Sequence, residues 1–382
     1  MHFDLASHYT RFDVANRLLL TGHSHQAWPD VAFAAMERAF DDAALLVDHK
    51  WERAFAVADE VRAGFAHLLD DPDGQITLTQ NTHEALVRFL SALDLRKGIL
   101  TTDGEFHTAR RQLERLEEEN VRVERVHVDR DLCARMITSI KRQQPAAIIL
   151  STVMYHNSYI VEGLDDLALE ASKLGVPLLL DVYHQLNVVP FSLRGALRTA
   201  FVTGGGYKYC QLGEGNCFLR LPADCMLRPV VTGWFAEFAL RSNAKAAGAT
   251  PYPEGHARFA GSTYDPVSHY RAAAVFQFFR EQNLEPTALR AISQTHIARL
   301  AAAFDGLALD PARITRDRTL SLDHTAGFLA LRAADAPALA QTLGTRGVWV
   351  DARGTSLRFG PAPYLTLAQL DAAMSHLGAI IG

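Results

Sequence analysis

Cysteine is scarce in this chain: four residues in 382 (Cys133, Cys210, Cys217 and Cys225), none of them in C-x-x-C spacing. That is too few and too irregular for a disulfide framework, and buried, reduced thiols are expected. Long apolar runs are also missing. The longest, such as "AAIIL" at 146–150, fall far short of the roughly 20 residues that cross a bilayer. The opening "MHFDLASHYTRFD" carries charge where a secretory leader has its apolar stretch, so a cytoplasmic location is expected. Positive charge is not in excess either. The formal net charge of -5 removes the electrostatic reason to expect nucleic acid or an anionic membrane as a partner. Small-molecule chemistry remains.

What is present is length and alternation. A chain of 382 residues exceeds the roughly 250–300 at which single cores stop growing, so more than one domain is expected. Apolar residues recur at three- and four-residue spacing over 31–47 and 52–69, which predicts two amphipathic helices. Short apolar runs then alternate with helical segments: strands at 75–79, 98–102, 122–128, 146–152, 176–181, 199–204 and 216–221, with helices near 83–93, 108–119 and 164–174. Runs such as "AAIIL" and "PLLL" are apolar at every position, which predicts burial on both faces in a mostly parallel sheet between helix layers. A Gly/Pro-rich stretch at 244–266 precedes a C-terminal α+β pattern containing "GFLALRA", "GVWVDAR" and "SLRFGPAP". The expected division is an N-terminal segment 1–18 packing with the small domain, a large α/β domain 19–260 and a small domain 261–382.

Ligands of such sheets bind beyond the carboxyl ends of the strands. There "LLLDVYHQ" places Asp181 and His184, and "AFVTGGGYKYC" places Lys208, so that a carboxylate, an imidazole and an amine converge at one sheet edge. A lysine among glycines in a partly desolvated site has a lowered pKa, which favours the neutral amine that condenses with aldehydes. Pyridoxal 5'-phosphate (PLP) needs such a lysine, an acid for its ring nitrogen, a flat cover for its ring and donors for its phosphate. Asp181 supplies the acid, Phe106 in "DGEFHTAR" the cover, and Thr82 in "TQNTHEAL", at the start of a helix, the phosphate end. Taken singly, Thr82 also reads as a helix cap, Phe106 as core and Asp181 as an N-cap. Their order, each after a separate strand, is what points to a cofactor site.

These residues resemble the fold-type I PLP enzymes of the class V aminotransferase group, and within it the kynureninases. The matching motifs are "DVYHQ", "GYKY", "GWF" at 233–235 and "LRFGPAPYLT", and the resemblance spans about residue 16 to the end. It implies that Lys208 carries the cofactor and later moves protons, that Asp181 pairs with the ring nitrogen, and that His184 lies near the ring or the substrate carbonyl. A structural imidazole bridging two loops is the other reading of His184. The resemblance further assigns Thr82, the His83 backbone and Tyr207 to the phosphate, and Trp234 to the phosphate and substrate pocket across the interface of a homodimer. Thr263, in "RFAGSTYDP", echoes the segment that a neighbouring subunit contributes. Arg358 corresponds to the arginine that grips the substrate carboxylate, a role suited to a bidentate guanidinium. The implied reaction is hydrolysis of the Cβ–Cγ bond of kynurenine to alanine and an anthranilate.

The chain departs from the family where "GHSHQAWP" replaces "NSLG", putting His23 and Ser24 at the substrate pocket, and where "FHTA" replaces "FPTD", putting Ala109 in place of an aspartate. Four other functions compete. A transaminase or lyase of the same group would act on a different amino acid. A cysteine desulfurase needs a reactive cysteine well downstream of the lysine, and none follows Cys225. A metallohydrolase would use His23, His25, Asp181 and His184 as ligands and leave the glycine–lysine segment idle, whereas the main reading needs no metal. A non-enzymatic protein would keep the cofactor as a structural element, and Ala109 is its best support.

Overall fold

The computed structural model describes residues 5–238, 240, 248 and 250–382. Parts of the N-terminal segment 1–18 and of the stretch 244–266 lie outside the described residues. Helices α1 (Val31–Leu46) and α2 (Lys50–Leu68) follow a short strand β1 (Leu18–Leu19). The alternating region forms β2 (Ile76–Thr79), α3 (Thr82–Ser91), β3 (Ile99–Thr102), α4 (His107–Glu118), β4 (Val123–Val126), α5 (Leu132–Gln143), β5 (Ala147–Ser151), α6 (Leu164–Lys173), β6 (Leu178–Asp181), β7 (Phe201–Gly205) and β8 (Cys217–Arg220). The seven strands β2 to β8 make one sheet in the order β2-β8-β7-β6-β5-β3-β4. β4, β3, β5, β6 and β7 run parallel, while β8 is antiparallel to both β7 and β2. The fold is therefore the α/β sandwich with a mostly parallel seven-stranded sheet that the sequence predicts.

The unbroken apolar runs have a simple physical origin. Successive side chains of a strand point to opposite faces. In β5, Ile148 and Leu150 join the core on one face, while Ala147 and Ile149 join the core on the other. β6 repeats the pattern, with Leu178 and Leu180 on the first face and Leu179 on the second. β6, packed on both sides, is apolar until it ends on Asp181.

The β8 end of the sheet is held by a buried ion pair. The Arg220 guanidinium is fully buried and donates from Nε and Nη2 to the two Asp71 carboxylate oxygens at 2.9 and 3.0 Å. Its Nη1 donates to the Arg198 and Ala200 carbonyls at 2.7 and 2.9 Å, just before β7 begins. One side chain thus ties β8, the turn before β2 and the entry to β7 together.

After a short helix α7 (Phe235–Phe238), the chain forms α8 (Val267–Glu281) and α9 (Pro286–Gly306), and α8 packs on α1 and α2. The C-terminal region holds β9 (Ile314–Arg316), β10 (Leu329–Ala333), α10 (Ala336–Thr345), β11 (Val348–Trp349), β12 (Asp351–Arg353), β13 (Ser356–Phe359) and α11 (Leu367–Ile381). β12, β13, β10 and β9 form an antiparallel sheet in that order. The N-terminal segment is tied to this region. β1 pairs in parallel with β11, and the Gln369 amide donates to the Val14 and Arg17 carbonyls at 2.9 Å. No described helix is long and apolar enough to cross a membrane.

Candidate active site

Two strand ends define the site. β6 finishes at Asp181, whose carboxylate accepts the Tyr183 backbone N–H at 2.9 Å, and a tight turn through Val182 carries His184 back over the strand end. β7 finishes at Gly205, and the chain folds at once, with Gly206 N–H donating to the Asn216 carbonyl and Leu212 N–H to the Gly206 carbonyl. The glycines are there because of close approach. A Cβ at Gly205 would lie 2.4 Å from Cys217 Sγ and 2.6 Å from the Tyr183 ring, and one at Gly206 would lie 2.6 Å from Leu212. Only hydrogens fit, and the resulting turn points Lys208 inward.

Lys208 is buried, and its Nζ is hydrogen-bonded to His184 Nε2 at 2.8 Å. Three rings surround the amine, with centroids at 4.6 Å (Tyr183), 4.9 Å (Phe106) and 5.8 Å (Tyr207). Burial, with the Arg358 charge beside it, lowers the Lys208 pKa to about 7, against the pull of Asp181 and Asp351. Burial likewise pushes His184 well below the usual imidazole range, assisted by Lys208 and Arg358. Asp181 is pushed up by burial, against its Tyr183 hydrogen bond and the Lys208 charge. A neutral imidazole, a readily deprotonated amine and a half-buried carboxyl group thus share one poorly solvated space.

A third wall comes from the C-terminal sheet. The Arg358 side chain is buried and donates from Nε to Asp351 Oδ1 at 2.8 Å, from Nη2 to Asp351 Oδ2, and from Nη1 to the Tyr155 carbonyl at 2.7 Å. His23 Nε2 lies 2.7 Å from Asp351 Oδ1, and the His23 ring is 4.7 Å from that of Phe328. Burial drops His23 to about 4, so its ring is neutral at physiological pH.

The structure therefore brings together Lys208, Asp181, His184, Phe106, Arg358 and His23. Tyr207 borders them, its ring 4.9 Å from Tyr183 and stacked at 4.8 Å on His25. Thr82 is the first residue of α3, whose cap is Asn81 rather than Thr82, the Asn81 side chain accepting the Glu84 N–H at 2.9 Å. The Thr82 backbone N–H faces the Cys217 thiol beside Tyr183. Ser24 bonds His25 Nδ1 at 3.1 Å, and His83 Nε2 lies 3.3 Å from Gln112 on an open face. Trp234 is half-exposed and packs on Phe235 and Phe238. Thr263 is exposed and borders a separate cavity of about 320 Å³ with Arg62, Arg88 and His269. Within one chain, neither Trp234 nor Thr263 contacts Lys208. Ala109 is buried in the core beneath α4. Among the described residues no group of three or more His, Cys, Asp or Glu stands close enough to hold a metal, and His23 is bonded to Asp351 while His25 stacks on Tyr207.

Four residues of the site are not singled out by the sequence reading. Glu105, adjacent to Phe106, is buried and accepts from Thr102 Oγ1 at 2.7 Å and from Ser151 Oγ at 2.6 Å; burial pushes it up to about 7. Tyr155 and Tyr183 complete the aromatic wall. Asp351 has a legible signal: in "VDARGTSLR" it stands across a tight hairpin from Arg358, where opposite charges on paired strands face each other.

No protein-family model matches the sequence, and no curated protein does. Solved structures do match in shape. A C-DES mutant with glycine covalently linked to its PLP cofactor has a TM-score of 0.81 at 17% identity, covering 97% of this chain and 98% of that one. The cystine C–S lyase C-DES in complex with its product cysteine persulfide scores 0.80 at 17% identity, over 96% and 98% of the two chains. The cysteine desulfurase CsdA from Escherichia coli, as its S-sulfonic acid, scores 0.78 at 15% identity, over 97% and 96%. At these identities the likeness is one of architecture: the chain has the fold-type I α/β fold along nearly its whole length.

Proposed function

We propose that this chain is a PLP-dependent enzyme of the class V aminotransferase group, a lyase or transaminase that acts on an amino acid without a cysteine nucleophile. The observation that carries the reading is the buried Lys208 amine, held by His184 and facing Asp181 inside an aromatic wall. That set fits the cofactor: an amine close to neutrality for covalent attachment, a half-buried acid with a single backbone donor, and rings to line the space for a flat heterocycle. When bound, PLP supplies an electron sink for charge developing at the substrate Cα.

The residues of the chain do the rest. Lys208 Nζ attaches the cofactor and moves the Cα proton. The Asp181 carboxylate holds a proton on the ring nitrogen. Phe106 and His184, both beside Lys208 Nζ, would line the space for the ring. The backbone of Thr82 and His83, with Tyr207, holds the phosphate, and Trp234 and Thr263 reach the partner's site in a homodimer. Arg358 takes the substrate carboxylate, and His23 and Ser24 lie on the substrate side.

The cysteine chemistry separates this reading from a desulfurase. Cys133, Cys210 and Cys217 are buried, and Cys225 is half-buried. Burial raises all four thiols, Cys133 and Cys217 to about 12, so no thiolate is available at neutral pH to accept sulfur. Likeness to a C–S lyase and a desulfurase supports amino-acid chemistry in the broad sense. Kynurenine hydrolysis is the second reading, supported by "GYKY", "GWF" and "LRFGPAPYLT". The purified protein, assayed with PLP and an amino-acid panel that includes cystine and kynurenine, distinguishes them. Release of a keto acid or of a sulfur product supports the first reading, and anthranilate fluorescence supports the second. Turnover of no amino acid overturns both.

Two further outcomes follow. Asp181→Asn keeps the shape and removes the charge; at one to three pKa units on the ring nitrogen, about 1.4 kcal/mol each, turnover falls about a hundredfold while cofactor remains bound. Steady-state rates and the cofactor absorption spectrum check this. The Lys208 amine, lowered to about 7, is charged and unreactive below that pH and neutral above it. The rate at which cofactor-free protein captures PLP therefore rises through about pH 7 and levels above it. Stopped-flow absorption reads it, and a rise continuing toward the ordinary lysine range of about 10 contradicts it.

A further inference from the structure

We propose that Asp351, clamped by His23, is the positioning residue that fixes the plane of the Arg358 guanidinium and leaves one N–H on each terminal nitrogen free for a carboxylate. The proposal rests on reading Arg358 as the carboxylate-binding arginine of a PLP-dependent site.

A guanidinium carries five N–H donors in a rigid fork. In Arg358, Nε and one N–H of Nη2 are committed to Asp351, and one N–H of Nη1 is committed to the Tyr155 carbonyl. Two donors remain, one on each of Nη1 and Nη2, which is the number a bidentate carboxylate takes. Asp351 is itself held by two elements. It faces Arg358 across the β12–β13 ladder, and its Oδ1 also receives His23 Nε2–H at 2.7 Å. These donors, His23 first, keep Asp351 ionised, well below the ordinary carboxylate range despite its burial.

Backbone pairing delivers His23 to this point. Gly22 N–H donates to the Gly360 carbonyl at 2.7 Å, and Gly360 N–H donates to the Leu20 carbonyl at 2.7 Å, so residues 20–22 run alongside the end of β13. The imidazole packs so closely on Gly360 that a Cβ there would lie 2.2 Å from Nδ1. A ring held this way cannot swing toward the substrate, and its one placed donor serves Asp351. Through the His23–Asp351–Arg358 chain, His23 of the "GHSH" segment orients the arginine.

The consequence is selective. An α-amino acid and the amine lacking its carboxyl group both meet Lys208, but only the former needs an oriented Arg358. Asp351→Asn turns an amide N–H toward one of the three donors that converge on Asp351, so the guanidinium loses its bidentate partner. With PLP-loaded protein, absorption titrations with L-alanine and with ethylamine read the two ligands separately. Asp351→Asn is expected to weaken alanine about tenfold or more and leave ethylamine unchanged. His23→Leu is expected to weaken alanine in the same selective way, and His23→Gln, which keeps a donor near the Nε2 position, to restore most of the loss.

Propionate provides a cofactor-free readout. It raises the melting temperature of cofactor-free wild type and His23→Gln but not of Asp351→Asn. Failure of the protein to take up PLP tells against the catalytic reading and leaves this second readout standing. Equal weakening of alanine and ethylamine, an unchanged ratio, tighter alanine binding in Asp351→Asn, or no propionate effect in the wild type overturns the clamp.

Discussion

Lys208→Ala is expected to purify without the visible absorption of the covalently held cofactor and to lose turnover by about 10⁴-fold or more. The size of the effect follows from how little else is available in the space. His184 is held neutral by burial and bonds the lysine. The three rings around Nζ have no group that forms a covalent link to an aldehyde at neutral pH, since burial pushes both Tyr183 and Tyr207 upward. Asp181 supplies charge but no nitrogen. Removing one amine therefore removes both attachment and the proton carrier at Cα. A circular dichroism spectrum identical to wild type, with the visible band gone, is the expected pair of results. A variant that stays yellow and active shows that the chemistry lies elsewhere.

Asp71→Ala is expected to cost about 3 kcal/mol or more of stability. Both Arg220 and Asp71 are fully shielded from water, so removing the carboxylate strands a buried guanidinium with two carbonyls and the more distant Asp73 oxygen at 3.4 Å. Urea unfolding of the cofactor-free protein measures it. The double variant Arg220→Met/Asp71→Leu recovers most of the loss, because replacing both partners of a buried pair by apolar groups leaves no unpaired charge. If Asp71→Ala unfolds at the wild-type denaturant concentration, the pair is not what holds β8 against β2 and β7.

The sheet is legible in the sequence because strands buried on both faces, such as β5 and β6, are apolar at every position but their last. "AIIL" and "LLL" carry their environment in their composition, and the polar residue that ends such a run marks the carboxyl edge, as Asp181 does. Strand direction is less legible. Nothing in "NCFLRL" distinguishes an antiparallel β8 from a parallel one; its direction follows from the short return after Lys208, too brief for a crossover helix.

In the site, residues that come directly after strands are legible, and those that reach it from other layers are not. Glu105 reads as an ordinary loop acid until Ser151 of β5 is seen to bind it. Tyr155 enters by way of a loop after β5 and lends a backbone carbonyl, which no side-chain pattern records. Asp351 is easily passed over beside Arg358, although the hairpin spacing sets the two face to face. Trp234 and Thr263, which the proposed function gives to the site of a second copy of the chain, respectively pack on Phe235 and Phe238 and border a separate cavity.

The link between His23 and Asp351 joins residues 328 positions apart in the chain, and β1 waits for β11 across a similar span. During synthesis the first partner emerges 328 residues before the second. All seven strands of the large sheet, β2 to β8, are therefore synthesised before Asp351 and Arg358. A nascent chain stalled before residue 351 carries the lysine without the clamp.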